Sequence, residues 1–227
     1  MRIASQISTP AASAISRTPQ RHRGRLRVAA LMRAATSAFA EKGFDAATMT
    51  EIAGLAGASI GSLYQFFPSK EALADALLSR YGELVAAALD KVEARAAELS
   101  ATALADALLD LLVGLRQETS AAVALLDARS EWSARRAELR QLIRRHIARI
   151  LLGRSPRLSP DLVESMAAIL LQNMRVMAML IAEQAPDEPP GALVELRDMT
   201  RFYLANRLGR AGGATGAPRD ADAAPIS

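Results

Sequence analysis

The stretch "GASIGSLYQFFPSKEAL" (residues 57–73) decides how this chain is read. It holds Tyr64, Phe66 and Phe67, three of only nine aromatic residues in 227. Ser59 is a natural helix cap and Pro68 a natural stop, so the segment between them reads as a short helix. Gly61 lies inside that helix, where glycine costs roughly 1 kcal/mol relative to alanine. A chain so poor in aromatics gathers them beside a residue that weakens the helix carrying them.

The residues upstream give the segment a setting. In "TMTE" (48–51) Thr48 can cap a helix while Glu51 reaches back to it, a capping box. The helix so opened carries Ile52, Ala53, Leu55 and Ala56 and stops at Gly57. Ser59 opens the next helix almost at once. Two short helices joined by a three-residue turn containing glycine have the form of a helix-turn-helix. Before them, Val28, Leu31, Met32, Ala35 and Phe39 make one helical face, with Lys42 in its last turn and Gly43 as its stop. After them, Ser69 caps a third helix.

In a helix-turn-helix the second helix enters the DNA major groove and its N-terminal residues reach base edges. Ser59, Ile60, Gly61 and Ser62 place little bulk there, so the backbone can come close. Serine can bond phosphate or base, Ile60 can pack on a thymine methyl, and the Tyr64 hydroxyl follows one turn later. Leu63 and Phe67, four apart, face inward. Lys70 at the next helix start can hold phosphate, with free backbone N–H groups beside it. The alternative is an ordinary core helix pair with an incidental glycine, and spacing alone leaves both open.

From Ser69 the pattern predicts helix after helix, near 69–97, 101–118, 120–131, 133–152, 160–185 and 191–208, with no period-two alternation. The fold class is therefore all-α. Residues 1–24 read as a flexible basic arm, and 211–227, rich in Gly, Ala and Pro, as a disordered tail. Residues 1–70 carry nine Lys/Arg against three acids, while 71–227 carry nineteen against twenty-one. A basic front on a mildly acidic body suggests a polyanion as partner. Six arginines and no acid lie in residues 1–27, so the arm is either a solubilising tail or a minor-groove contact.

Several function classes recede. There is no cysteine, hence no disulfide, thiolate zinc site or thiol nucleophile, which fits a reducing cytoplasm. The two histidines, His22 and His146, show no metal-binding spacing, and neither metal nor cofactor is expected. "GASIG" (57–61) matches the G-x-S-x-G of serine hydrolases, but that motif needs a preceding strand. His146 in "RRHIAR" reads as a solvated surface residue. The most apolar window, 166–182, is interrupted by Gln172, Asn173 and Arg175 and reads as short of a membrane span. The chain is read as a cytoplasmic protein with no membrane partner and no enzymatic role.

Residues 25–73 resemble the N-terminal domain of the tetracycline-repressor (TetR) family of bacterial transcription regulators. The resemblance rests on "AFAEKGFDAATMTEIA", on the "AG-S-G-LY-FFPSKEAL" pattern and on their mutual spacing. It implies a DNA-binding domain at 25–85, with its motif at about 48–67, on a helical body at 86–210 that dimerises and binds a small-molecule effector. It also implies groove-facing sites at Thr50, Ile60, Gly61, Ser62 and Tyr64, and phosphate-facing sites at Thr48, Ser59, Tyr64, Phe66 and Lys70. Phe66 departs from the polar residues of the family, since a phenyl ring cannot bond phosphate. The expected function is a repressor released from a palindromic operator by a small apolar ligand; the alternative is an architectural or effector-independent DNA-binding protein. In the body, Gln172, Asn173 and Arg175 are the candidate polar anchors for a ligand. The window 160–185, apolar nearly all round and rich in methionine, needs burial on two sides. Met174, Met177 and Ile181 there, with Leu196, Met199 and Tyr203 in the last helix, are the expected homodimer interface.

Overall fold

The apolar spacing of the sequence becomes eight helices among the described residues, which in this computed structural model are 17–116, 122, 123, 125, 132–183 and 191–212. They are α1 (Arg17–Ala46), α2 (Met49–Leu55), α3 (Ile60–Phe66), α4 (Lys70–Glu93), α5 (Ala101–Gly114), α6 (Ser133–Arg154), α7 (Pro160–Glu183) and α8 (Ala192–Gly212). No strand occurs among those residues. The expected helix over 120–131 lies outside them except at 122, 123 and 125, as do the arm up to residue 16 and the tail from 213. The helix of α1 begins at Arg17, inside the stretch read as an arm, and α8 runs on to Gly212.

The chain divides into two compact units, with the border at Leu77 and Leu78, inside α4. In the first, Leu31, Ala35 and Phe39 of α1 are buried with Ile52 of α2, Leu63 of α3 and Leu73 of α4. Phe39 and Phe44 meet at 5.4 Å between ring centroids, a tilted pair. Gly43 interrupts α1 at φ 76°, and Gly57 turns the chain after α2 at φ 59°. Both conformations are ones that side-chain-bearing residues rarely adopt.

In the second unit α5 packs on α7 and α8, α6 on α7, and α7 on α8. Its core is leucine and isoleucine from α5 and α6 with Val163, Met166, Leu170, Met174 and Met177 of α7. A Cβ on Gly82 of α4 would come within 3.0 Å of the Leu139 side chain of α6, so glycine permits that close approach. By length and composition Pro160–Ala182 is apolar enough to cross a membrane, which corrects the sequence expectation. The polar residues Gln172, Asn173 and Arg175 interrupt the run without lowering its average enough. One face of it is buried against α5 and α6.

His146 is a second correction. It is only 8% exposed, because its position on α6 faces α4 rather than solvent.

Candidate nucleic-acid interface

The short helices exist because they are capped. Thr48 accepts a hydrogen bond from the Glu51 backbone N–H at 3.2 Å and opens α2. Ser59 accepts from the Ser62 N–H at 3.2 Å and opens α3. Each cap is worth about 1 kcal/mol. For helices of seven residues that is a large fraction of what local structure can offer. Glu51 also pairs with Lys42 near the end of α1. The hydrogen bond from Lys42 holds the Glu51 carboxyl below the usual carboxylate range, and the Thr48 backbone N–H adds to it. The reciprocal capping read from "TMTE" is thus present, with a lysine joined to it.

Helix α3 has two sides. Leu63 is fully buried and Phe67, its C-cap, is 8% exposed. Tyr64 is 49% exposed, Ile60 39% and Phe66 37%, with Gly61 and Ser59 also exposed and Ser62 half-buried. Thr48 and Thr50 at the front of α2 are exposed as well. The expected contact residues of α2 and α3 are therefore open to a partner, and the expected anchors are not. Gly61 is informative. Its backbone has no positive φ, and a Cβ there would meet nothing within 4 Å. Nothing inside the protein demands glycine at that position.

Lys70 does not behave as expected. Its Nζ donates to the carbonyl oxygens of Phe44 at 2.7 Å, Asp45 at 3.1 Å and Ala47 at 2.9 Å, and lies 4.6 Å from the Phe44 ring centroid. An ammonium has three donors, and here all three are used. Lys70 neutralises the carbonyl-rich end of α1 instead of presenting a free charge to phosphate. Its position at the start of α4 suggested phosphate because the sequence does not show that α1 ends beside it.

The sequence reading also missed two residues. Arg27 Nη1 donates to Gly57 O at 3.1 Å and ties α1 to the turn before α3. Nothing in the spacing signals a contact across thirty positions. Gln65 is exposed on α3, one turn after Gly61. Its residue type, able to bond adenine in bidentate fashion, was the available signal.

In the body, Gln172 and Arg175 are exposed on α7, and the Asn173 amide donates to Thr200 Oγ1 at 3.0 Å. These three do not converge on an interior cavity, because the buried face of α7 runs through Val163, Met166, Leu170, Met174 and Met177. Met174 and Met177, expected at the dimer interface, are buried within their own subunit, at 0% and 1% exposed. The helical phase places Ile169, Val176 and Met179 outward on α7 instead. On α8, Val194, Met199 and Phe202 are exposed, Phe202 at 73%, while Ile181, Leu196 and Tyr203 are half-buried.

Comparison with known proteins agrees with this geometry. Residues 31–77 match the sequence profile described as "Bacterial regulatory proteins, tetR family". The HTH-type transcriptional repressor KstR2 of Rhodococcus jostii (strain RHA1) is 41% identical over 26% of this chain and 33% of its own. The chain thus spans about a third of the length of that relative in the match. A crystal structure of a putative TetR-family transcriptional regulator from Mesorhizobium loti MAFF303099 shares the fold, with a TM-score of 0.59 and 21% identity. It covers 82% of this chain and 98% of that one. The fatty acid degradation regulator FadR of Bacillus halodurans shares it too, at a TM-score of 0.57 and 17% identity over 78% of this chain and 97% of its own. Residues 31–77 therefore match the helix-turn-helix domain of tetR-family regulatory proteins, and the chain as a whole shares its fold with solved structures of such regulators.

Proposed function

We propose that this protein is a sequence-specific DNA-binding transcriptional repressor. It binds a near-palindromic operator as a homodimer and leaves it when a small apolar ligand binds the body. The observation that carries the reading is the two-sided α3, with Leu63 and Phe67 fixed inward and Ile60, Gly61, Tyr64 and Gln65 open. A bare glycine that the protein itself does not require is accounted for by close approach of the backbone to a groove. Tyr64 and Gln65 then reach base edges or phosphate one turn later, and the exposed caps Thr48 and Ser59 face the backbone.

A two-fold dimer presents two equal reading helices, so its site is palindromic. The exposed stripe of Ile169, Val176 and Met179 on α7, with Val194, Met199 and Phe202 on α8, supports an interface of two helices from each subunit. Phe202→Glu should break the dimer in sedimentation at several concentrations. Met177→Glu should instead unfold the subunit, since that side chain is core.

An apolar effector is favoured because α5 and α7 line the body interior almost wholly with apolar side chains. Release requires that the ligand bind a non-operator conformation better than the operator-bound one. The test of the function is selection of binding sites from random duplexes. Enrichment of an inverted repeat supports the repressor, whereas equal affinity for all sequences would leave only the architectural reading.

A further inference from the structure

Asp90 and Glu93 lie one turn apart near the end of α4, and His146 and Arg149 lie one turn apart on α6. The two pairs meet. His146 Nδ1 is 3.2 Å from Asp90 Oδ1, and the ring nitrogen and one oxygen of each carboxylate all lie within 4.8 Å of one another. Arg149 sits among them. Its Nε donates to Glu93 Oε1 at 3.1 Å and Oε2 at 3.0 Å. Its Nη2 donates to Asp90 Oδ1 at 3.2 Å and Glu93 Oε2 at 2.8 Å, and lies 2.9 Å from His146 Nδ1.

A guanidinium has donors only, so with the imidazole proton on Nε2 the Nδ1 lone pair faces Arg149, a tautomer assigned from this contact rather than observed. That is the form of histidine that ligates metals. The same lone pair then faces an Asp90 oxygen at 3.2 Å. Two acceptors at that separation repel unless a cation lies against both. Here Arg149 is that cation, on a side chain that is half exposed.

We propose that Asp90, Glu93 and His146 form a binding site for a divalent transition-metal ion of the zinc class, with Arg149 as the displaceable cation that balances the site when no metal is bound. Tetrahedral bonds of about 2.0–2.2 Å place ligand atoms roughly 3.4 Å apart, so groups that now lie within 4.8 Å of one another close by up to about 1.4 Å when the ion binds. One imidazole with two carboxylates suits zinc, cobalt or nickel, whereas magnesium and calcium take oxygen ligands. The chain has no cysteine and one other histidine, His22, so competing sites are few. The site joins α4 to α6 within the second unit and does not depend on the DNA-binding reading.

The test uses the full-length, untagged chain in a non-chelating buffer, titrated with Zn²⁺ by calorimetry and with Co²⁺ by visible absorption. The expected result is one ion per chain with a Kd of about micromolar order, and a thermal midpoint raised by a few degrees at saturating Zn²⁺. H146Q and E93Q should each weaken binding at least tenfold, R149Q should tighten it several-fold, and H22Q should bind as the wild type. E93Q, on a partly exposed side chain, keeps the test valid if H146Q folds poorly. Absence of saturable binding in both wild type and R149Q overturns the proposal. So does binding that survives H146Q or E93Q, is no tighter in R149Q, or is lost in H22Q.

Discussion

The two units hold their helices in different ways. In the first, α2 and α3 have seven residues each, too short to stand without help, and their starts and the end of α1 are fixed by named groups. Thr48 and Ser59 cap their starts, Arg27 holds the turn, and Lys70 holds the end of α1. In the second, α6 and α7 run for 22 and 24 residues and are held by broad apolar faces. Its most connected polar groups are ion pairs between long helices, such as Arg197 and Arg201 of α8 with Asp106 of α5. The first unit is specified residue by residue and leaves one face of α3 open. The second is specified by the pattern of its apolar faces.

The largest effect should come from Leu63→Ala. Leu63 is fully buried and is the one buried residue within α3. We expect a loss of about 3 kcal/mol by urea denaturation, with operator binding abolished. Leu108→Ala in α5, equally buried, should cost the body a similar amount. If Leu63→Ala leaves operator binding intact, the contrast between the units fails.

Tyr64→Ala comes next. It should weaken operator binding tenfold to a hundredfold and leave thermal stability unchanged, because Tyr64 is 49% exposed. Lys70→Met should do the reverse of what a phosphate contact does. With its three carbonyl bonds gone, stability should fall by about 2 kcal/mol. The slope of log affinity against log salt should stay as in the wild type, whereas loss of a phosphate contact would make it shallower by about 0.9.

A smaller effect is expected in the body. The Arg201 guanidinium, opposed by burial and aided by Arg197, holds the Asp106 carboxyl below its usual range. A depressed carboxyl stabilises the fold above the unfolded value of about 3.9, and that contribution is lost as the pH falls through the folded value. Asp106→Asn should therefore cost about 1 to 2 kcal/mol at pH 7, and the difference from wild type should close below about pH 4. Ser59→Ala is the smallest, at about 1 kcal/mol, seen as fraying of α3 in hydrogen exchange.

Much of the first unit was legible in the sequence because its signals are local. The capping residues Thr48 and Ser59, the glycine stop at 57 and the inward pair Leu63 and Phe67 all act within a few positions. The carbonyl bonds of Lys70 were not legible, because their acceptors are residues 44, 45 and 47, more than twenty positions away. In the body the helices were legible from apolar runs, but their phase was not. A helix apolar nearly all round, such as α7, does not say which stripe turns inward, so Met174 and Met177 were placed on the wrong side. His146 failed likewise, since "RRHIAR" looks solvated until α4 supplies Asp90 and Glu93.

The most direct test of the central claim is Gly61→Ala, measured for both folding and operator binding. A Cβ at this position meets nothing within 4 Å in the protein, and alanine is the better helix former by up to about 1 kcal/mol. If the open face of α3 lies against DNA, the variant should fold as well as the wild type or better and bind operator at least tenfold more weakly. Gly61→Ala binding as tightly as the wild type would contradict the account.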